Sequence, residues 1–203
     1  ISVQGYVALI AARKYKEAVD LIREEAPFPA VLGRVCTHTC ETKCTRRDVD
    51  QSVSICQLKR FVADEIRAGG QDIPPKPAES RNKRVAIIGS GPAGLSAAYY
   101  LALWGHQPTV FEALPVAGGM MAVGIPSYRL PKDVLKAEIE FVKSVGVEIR
   151  TNTPIGASLT LKDLAAQGYE ATFIAVGAHR NNPLGIPGED LEGVISGVEF
   201  LRN

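Results

Sequence analysis

Two groups of residues in this chain have types and spacings that could do chemistry. The first is Gly89-Ser90-Gly91-Pro92-Ala93-Gly94, which fits G-x-G-x-x-G and follows at once on the apolar run Val85 to Ile88. A loop of this kind between a strand and a helix can take a dinucleotide pyrophosphate. Gly89 allows the tight turn, Gly91 lets phosphates approach the backbone, and Gly94 lets the helix pack close to the sheet. The helix N-terminus adds free N–H groups and a partial positive charge. Pro92 to Trp104 suits that helix, and Thr109-Val110-Phe111 reads as a second strand. Glu112 then stands about 20 residues beyond the fingerprint, where an acid can accept hydrogen bonds from an adenosine ribose. The whole succession, more than the glycines alone, points to a dinucleotide site. The bland alternative is a tight strand-to-helix turn without a ligand.

The second group is Cys36, Cys40, Cys44 and Cys56, spaced C-x3-C-x3-C-x11-C. A loop carrying three thiolates at short intervals can wrap an iron–sulfur cluster. Zinc is the alternative, but structural zinc sites usually pair cysteines in two separated knuckles, which this spacing fits poorly. His38 lies inside the loop, as a further ligand or as a polar loop residue. Ser54-Ile55-Cys56-Gln57 reads as a capping box opening a helix. Cys56 is then near a helix start, where the dipole favours a thiolate. Lys59 and Arg60 follow on the same helix. Their charge could stabilise a reduced, anionic cluster, or they could form a solvated face.

The elements that position these groups are legible around them. Residues 1–25 read as two helices, one with an apolar stripe of Tyr6, Val7, Leu9 and Ile10, the other with Ala18, Val19, Leu21 and Ile22. Lys16, Glu17, Arg23 and Glu24 are expected outside, and Pro27 and Pro29 end the pattern. Ile55, Leu58, Phe61, Val62 and Ile66 give the Cys56 helix its buried stripe. Gly69-Gly70 closes that helix, and the extended, proline-rich Gln71 to Pro77 reads as a linker. The expected division is a helical domain over 1–70, a linker over 71–79 and a nucleotide-binding domain over 80–203.

Beyond Glu112, the glycine-rich Ala117-Gly118-Gly119-Met120-Met121 suits close passage past a ligand. Arg129 is a pyrophosphate partner or an ordinary surface arginine. Pro131 opens a helix with Val134, Leu135, Ile139 and Val142 on one face. Val147 to Arg150 reads as a strand, Thr160 to Gly168 as a short helix, and Ala171 to Val176 as a buried strand running into Gly177. Strands alternating with helices in this way predict a doubly wound α/β fold.

Composition narrows the function class. A net charge of +1, with the one short basic run at Arg81 to Arg84 read as solvating the linker end, argues against a nucleic-acid surface. No apolar stretch approaches the roughly 20 residues of a membrane span. Close-set cysteines beside a nucleotide fold, with no signal peptide at the start, favour metal ligation over disulfides and a cytoplasmic protein.

Cys36-x3-Cys40-x3-Cys44, the Ile55 to Phe61 helix, the glycine fingerprint, GGMMAVGIPSYRLP and ATFIAVGAHR together carry a resemblance over essentially the whole chain. The sequence resembles the small (β) subunit family of NADPH-dependent glutamate synthase. It is similar also to the corresponding part of dihydropyrimidine dehydrogenase and to NADPH-oxidising subunits of electron-transfer complexes. The resemblance implies a helical iron–sulfur domain followed by a Rossmann-like FAD domain. It implies that Gly89 to Ala93, including Ser90 and Pro92, contact the FAD pyrophosphate and that Glu112 holds the adenosine ribose. It further implies that Gly118, Gly119, Met120 and Arg129 meet the flavin half or phosphates, and that Ile155 touches the adenine side through its backbone. Gly177 matches the family's glycine at a strand end, although Val176 stands where threonine is usual.

The family carries two [4Fe–4S] clusters, and its first cysteines lie upstream of the position matching Ile1. By that pattern Cys36 and Cys40 serve one cluster and Cys44 the other. Lys59 occupies the place of a usual Gln or Glu ligand, and Cys56, three residues earlier, could replace it. One cluster or two remains open at this point. Family members continue past Asn203 into a domain for NADPH or NADH and then return to complete the FAD domain. The sequence is therefore expected to be a partial length, or one piece of a split subunit. The resemblance implies a subunit passing electrons between NAD(P)H, FAD, [4Fe–4S] clusters and the partner subunits of an oxidoreductase complex, with no catalytic acid or base of its own. The alternative is a non-catalytic docking module with a zinc- or cluster-stabilised helical domain.

Overall fold

The computed structural model describes residues 1–156 and 159–202. The chain begins with two helices packed on each other, α1 (Val3–Ala11) and α2 (Tyr15–Arg23), as the apolar stripes predict. Pro29 sits in the first turn of α3 (Pro29–Val35), where its missing N–H costs nothing. The cysteine segment contains one short turn of helix, α4 (Thr39–Thr42), and a 3-10 turn at Thr45–Asp48. The long helix α5 (Ile55–Ala68) follows, and Gly70 turns the chain away with φ +64°. Tyr6, Ile10, Val19, Ile22, Ile55, Val62 and Ile66 form the core of this helical part.

The second part is a parallel sheet. Its strands are β1 (Arg84–Ile88), β2 (Gln107–Phe111), β3 (Glu148–Arg150) and β4 (Ala171–Ile174), in the order β3-β2-β1-β4. Connecting them are α6 (Pro92–Leu103), α7 (Met120–Val123), α8 (Lys132–Ser144) and α9 (Leu161–Ala166); α10 (Gly197–Arg202) comes after the sheet. Alternation along β1 sends Val85 and Ile87 towards α6 and α8, and Ala86 and Ile88 towards Leu164 of α9. Helices thus cover both faces, which is the doubly wound arrangement. A complete capping box, Thr160 with Asp163, fixes the start of α9.

The two parts share a core. Phe28, Ala30, Val31 and Ala63 of the helical part pack in one cluster with Leu95, Tyr99, Leu135, Phe141 and Val142 of α6 and α8. Four local expectations need correction. Arg23, expected outside, is buried, because Phe141 offers its ring 3.6 Å beneath the guanidinium and Asp72 accepts two of its bonds. The stripe of α5 is rotated: Cys56, Lys59 and Ala63 are buried with Ile55, Val62 and Ile66, while Phe61 is exposed and packs edge-on against Tyr15. Ser54 makes no capping bond at the start of α5. The strand β4 is exposed at every residue; it is an edge strand, and among the described residues no element covers Phe173 and Ile174.

Candidate functional site

A cleft of about 560 Å3 opens at the carboxyl ends of β1, β2 and β4. The strand order reverses direction at β1, so this is the crevice in which doubly wound sheets bind ligands. Gly89, Gly91, Pro92, Ala93, Glu112, Gly119, Met120, Ile155 and Gly177 all line it. Nine of the residues singled out from the sequence are therefore brought to one cavity. Val176, in place of the usual threonine, lines it too.

Of the fingerprint glycines, Gly94 has a packing role. A methyl on Gly94 would strike the Gly89 carbonyl, so α6 can approach the β1 turn only through a glycine. Gly91 is different. It caps α6 with φ −67° and ψ 179°, a conformation open to any residue, and a Cβ there would meet nothing within 4 Å. The fold itself gives no reason for glycine at this position. The N–H groups of Gly91, Ala93 and Gly94 donate to no group among the described residues. Free donors at a helix N-terminus beside unfilled space form a cradle for an anion such as a pyrophosphate. The residues fit a dinucleotide.

Ser90, Gly94, Gly118 and Arg129 do not line the cleft. Ser90 is wholly buried, and it ties three segments together. Its N–H and hydroxyl both donate to Oε2 of Glu112, at 2.9 and 2.5 Å, and its Oγ accepts from the Gly118 N–H at 3.0 Å. Glu112 Oε1 accepts from the Leu114 N–H at 2.8 Å. The acid therefore braces the cleft floor with three charge-assisted bonds while still lining the cavity. Arg129 lies exposed on the loop before α8. Thr153, Pro154, His179 and Arg202 line the cleft without having been singled out: Thr153 and Pro154 follow β3, His179 follows β4 and Arg202 ends α10, so segments far apart in sequence bring them there.

The four cysteines are all free thiols. Cys36 is half-buried, Cys40 exposed, Cys44 half-buried and Cys56 buried. Cys36 and Cys40 lie near enough to Cys56 to act on its thiol, and Cys44 lies near enough to Arg46 to act on its guanidinium. Among the described residues no three His, Cys, Asp or Glu side chains converge closely enough to hold a metal. The Cys36 sulfur accepts from the His38 N–H at 3.3 Å, and His38 has a left-handed backbone that turns the loop. The Cys56 thiol lies against the Leu32 and Gly33 carbonyls at 3.7 and 3.5 Å. Burial, then the neighbouring Cys36, pushes this thiol above its ordinary range, with Lys59 pulling the other way.

What caps α5 is Glu41, which the sequence did not mark. Its Oε1 accepts from the Cys56 N–H at 2.8 Å, and its backbone carbonyl accepts from the Ser52 hydroxyl at 2.8 Å. His38 stands 3.4 Å from its other oxygen. The residue between two cysteines thus pins their loop to the helix that carries the fourth.

A buried polar link joins the cysteine-bearing part to the nucleotide-binding part. Glu138 of α8 accepts from the Ala30 and Val31 N–H groups of α3, each at 3.2 Å, with Arg23 at 3.8 Å. Burial pushes its carboxyl up to about 7, against the pull of Arg23 and the two N–H donors.

Residues 1–71 match the family model described as dihydropyrimidine dehydrogenase domain II, 4Fe-4S cluster, and residues 83–203 match that of pyridine nucleotide-disulphide oxidoreductase. The NADP(+)-dependent formate dehydrogenase subunit beta of Moorella thermoacetica is 46% identical over 226 residues, covering 100% of this chain and 32% of that protein. The glutamate synthase [NADPH] small chain of Bacillus subtilis is 36% identical, covering 95% of this chain and 39% of its own. The chain thus spans about a third of the length of these curated relatives. Among solved structures, the Mycobacterium tuberculosis FprA in complex with NADPH is similar with a TM-score of 0.52 and 29% identity, over 60% of this chain and 28% of that one.

Proposed function

Because the chain belongs to the pyridine nucleotide-disulphide oxidoreductase family, we propose that it is the FAD- and iron–sulfur-bearing part of an NAD(P)H-dependent oxidoreductase subunit that passes electrons to partner subunits. FAD supplies hydride acceptance from a nicotinamide and release of electrons one at a time. The protein supplies position. Gly91 and the free N–H groups of α6 hold the pyrophosphate, and Glu112 offers the ribose the lone pairs its three internal donors leave. Gly119, Met120, Ile155 and Gly177 wall the rest of the cleft. Gly89, Ser90, Pro92, Ala93, Gly94, Gly118 and Arg129 complete the assigned set; Ser90, Gly94 and Gly118 act by supporting the cleft, and Arg129 is assigned to the phosphates on the resemblance alone, since it lies outside the cleft. The nicotinamide site, NADPH or NADH, is assigned to the remainder of a protein as long as the relatives, and the cytoplasm is its expected compartment.

Cys36, Cys40, Cys44 and Cys56 are the proposed iron ligands. The donor type is suited, soft free thiols, three on the segment after α3 and Cys56 in the first turn of α5, but the described side chains do not converge, so holding a cluster would require that segment to rearrange. To ligate, Cys56 gives up its proton and its contacts with the Leu32 and Gly33 carbonyls.

The observation that carries the flavin reading is Gly91. Its backbone accepts a side chain and the protein leaves room for one, and that room opens on the cleft beside the free N–H groups of α6, which supports a ligand there. Gly91→Ala in the full-length protein should fold with native stability and lose FAD on purification. Full flavin occupancy in that variant would overturn the assignment. The wild-type visible spectrum separates this reading from a docking module: flavin bands with a broad cluster shoulder on one hand, a colourless protein on the other.

A further inference from the structure

The cleft that receives the fingerprint loop also holds an arginine with no acid to pair with. Among the described residues its lining carries one acid, Glu112, one arginine, Arg202, and no lysine. Glu112 is already answered by three internal donors. Arg202, in the last turn of α10, makes no ion pair among the described residues, and its one side-chain partner there is the His179 ring. A guanidinium only donates, so Nη2 of Arg202 donates to Nδ1 of His179, and that ring nitrogen carries no proton. The other guanidinium N–H groups are left for something else. The close passage of two turns places this pair. Strand β4 runs out beside the first fingerprint glycine: a Cβ on Gly89 would stand 2.4 Å from the Ala175 carbonyl oxygen and 3.3 Å from the Val176 Cα. Gly177 then turns the chain with φ +69°, and the half-buried His179 ring packs back on it, 3.5 Å from where a Cβ would stand. The imidazole thus tethers Arg202 on the β4 side of the fingerprint turn, in the cleft that Gly91 and Ala93 also line.

We infer that Arg202 is the cationic partner of the dinucleotide pyrophosphate in this cleft, and that His179 is its positioning residue. The inference rests on the flavin reading. A pyrophosphate brings negative charge to a cleft whose own acid, Glu112, lines it. The N-terminus of α6 offsets about half an elementary charge. Arg202 is the one lysine or arginine lining the cleft among the described residues, whereas Arg129 lies exposed outside it. A planar guanidinium with free N–H groups matches phosphate oxygens in geometry as well as in charge.

The test is the affinity of the flavin-free, full-length protein for FAD, measured calorimetrically at two salt concentrations, for wild type, Arg202→Met, Arg202→Lys, His179→Leu and His179→Asn. Arg202→Met should weaken FAD by about tenfold, the low end for a hydrogen bond between charged groups because Arg202 is exposed. It should also flatten the loss of affinity with added salt. Arg202→Lys should recover part of the affinity and the salt dependence. His179→Leu should weaken FAD less than Arg202→Met does, and His179→Asn, whose amide oxygen accepts from a guanidinium, should restore the wild-type value. The flavin midpoint potential should not move in Arg202→Met. Unchanged affinity in Arg202→Met overturns the inference. So do equal losses in the methionine and lysine variants with unaltered salt dependence, which mark packing alone. A displaced flavin midpoint at unchanged affinity puts the charge beside the isoalloxazine ring and overturns the phosphate contact. Equal losses in His179→Leu and His179→Asn overturn the positioning role. A wild-type protein that binds no FAD overturns the flavin reading itself, which is a different failure from a flavoprotein indifferent to Arg202.

Discussion

A single carboxylate, Glu112, does two jobs in this molecule. As a nucleotide contact it needs to face the cleft, and it lines it. As a brace it accepts from Ser90 twice and from Leu114, joining the fingerprint to the chain after β2. The two roles separate by experiment. Hydrogen bonds to a buried charge contribute roughly 1.5–3 kcal/mol each, and removing the acceptor leaves donors unsatisfied. Glu112→Ala should therefore lower the urea midpoint of the flavin-free protein, before any ligand is present, and weaken FAD binding in addition. An apoprotein of unchanged midpoint would reduce Glu112 to a ligand contact. The acid was legible in the sequence from its place after the second strand. Its bonds to Ser90 were not, because nothing in the motif says which way the Ser90 hydroxyl turns.

The helix α5 shows how far local signals reach at the scale of an element. Its existence follows from its apolar period and closing glycines, but its start is capped from outside. The pattern around Ser54 and Gln57 resembles a capping box, yet the Cys56 N–H finds the Glu41 carboxylate instead, because the packing of α3 against α5 brings the cysteine loop to that end. Helix caps contribute about 0.5–2 kcal/mol. Glu41→Ala should speed amide exchange in the first turn of α5 and the reaction of Cys40 with thiol reagents, while Glu41→Gln, which keeps an acceptor oxygen, should do so less. Equal exchange in wild type and Glu41→Ala would remove Glu41 from this role. The rotation of the buried stripe has the same origin. Phe61 reads as core by hydropathy, but Lys59 and Cys56 take the inward positions because α3 and the cysteine loop approach α5 on that side.

Across the whole molecule, the helical part and the nucleotide-binding part are fused through one core and through Glu138, and this makes their docking sensitive to pH. The folded carboxyl, at about 7, lies above its ordinary 4.5. Such a group favours the folded state fully below pH 4.5, and that advantage is lost as pH rises to 7, with a slope of at most about 1.4 kcal/mol per pH unit for one proton. Arg23 and Asp72 face it across the contact. The urea midpoint should thus fall between pH 5 and pH 7 in wild type, and Glu138→Gln should flatten that fall; a slope unchanged by the substitution would exclude Glu138 as its source. The sequence by itself determined the parts whose chemistry is local: the strand, glycines, helix and acid of the fingerprint, the close-set thiols, and the alternation that builds a doubly wound sheet. Those depend on neighbours a few residues apart. Only the tertiary structure decided which charges are buried and what they meet. Arg23 lies against the Phe141 ring, Glu138 under the first turn of α3, and Lys59 on the buried face of α5, because burial is set by elements far apart in sequence. The N–H groups that Glu138 accepts from are more than a hundred positions away, and no periodicity in either segment records their meeting.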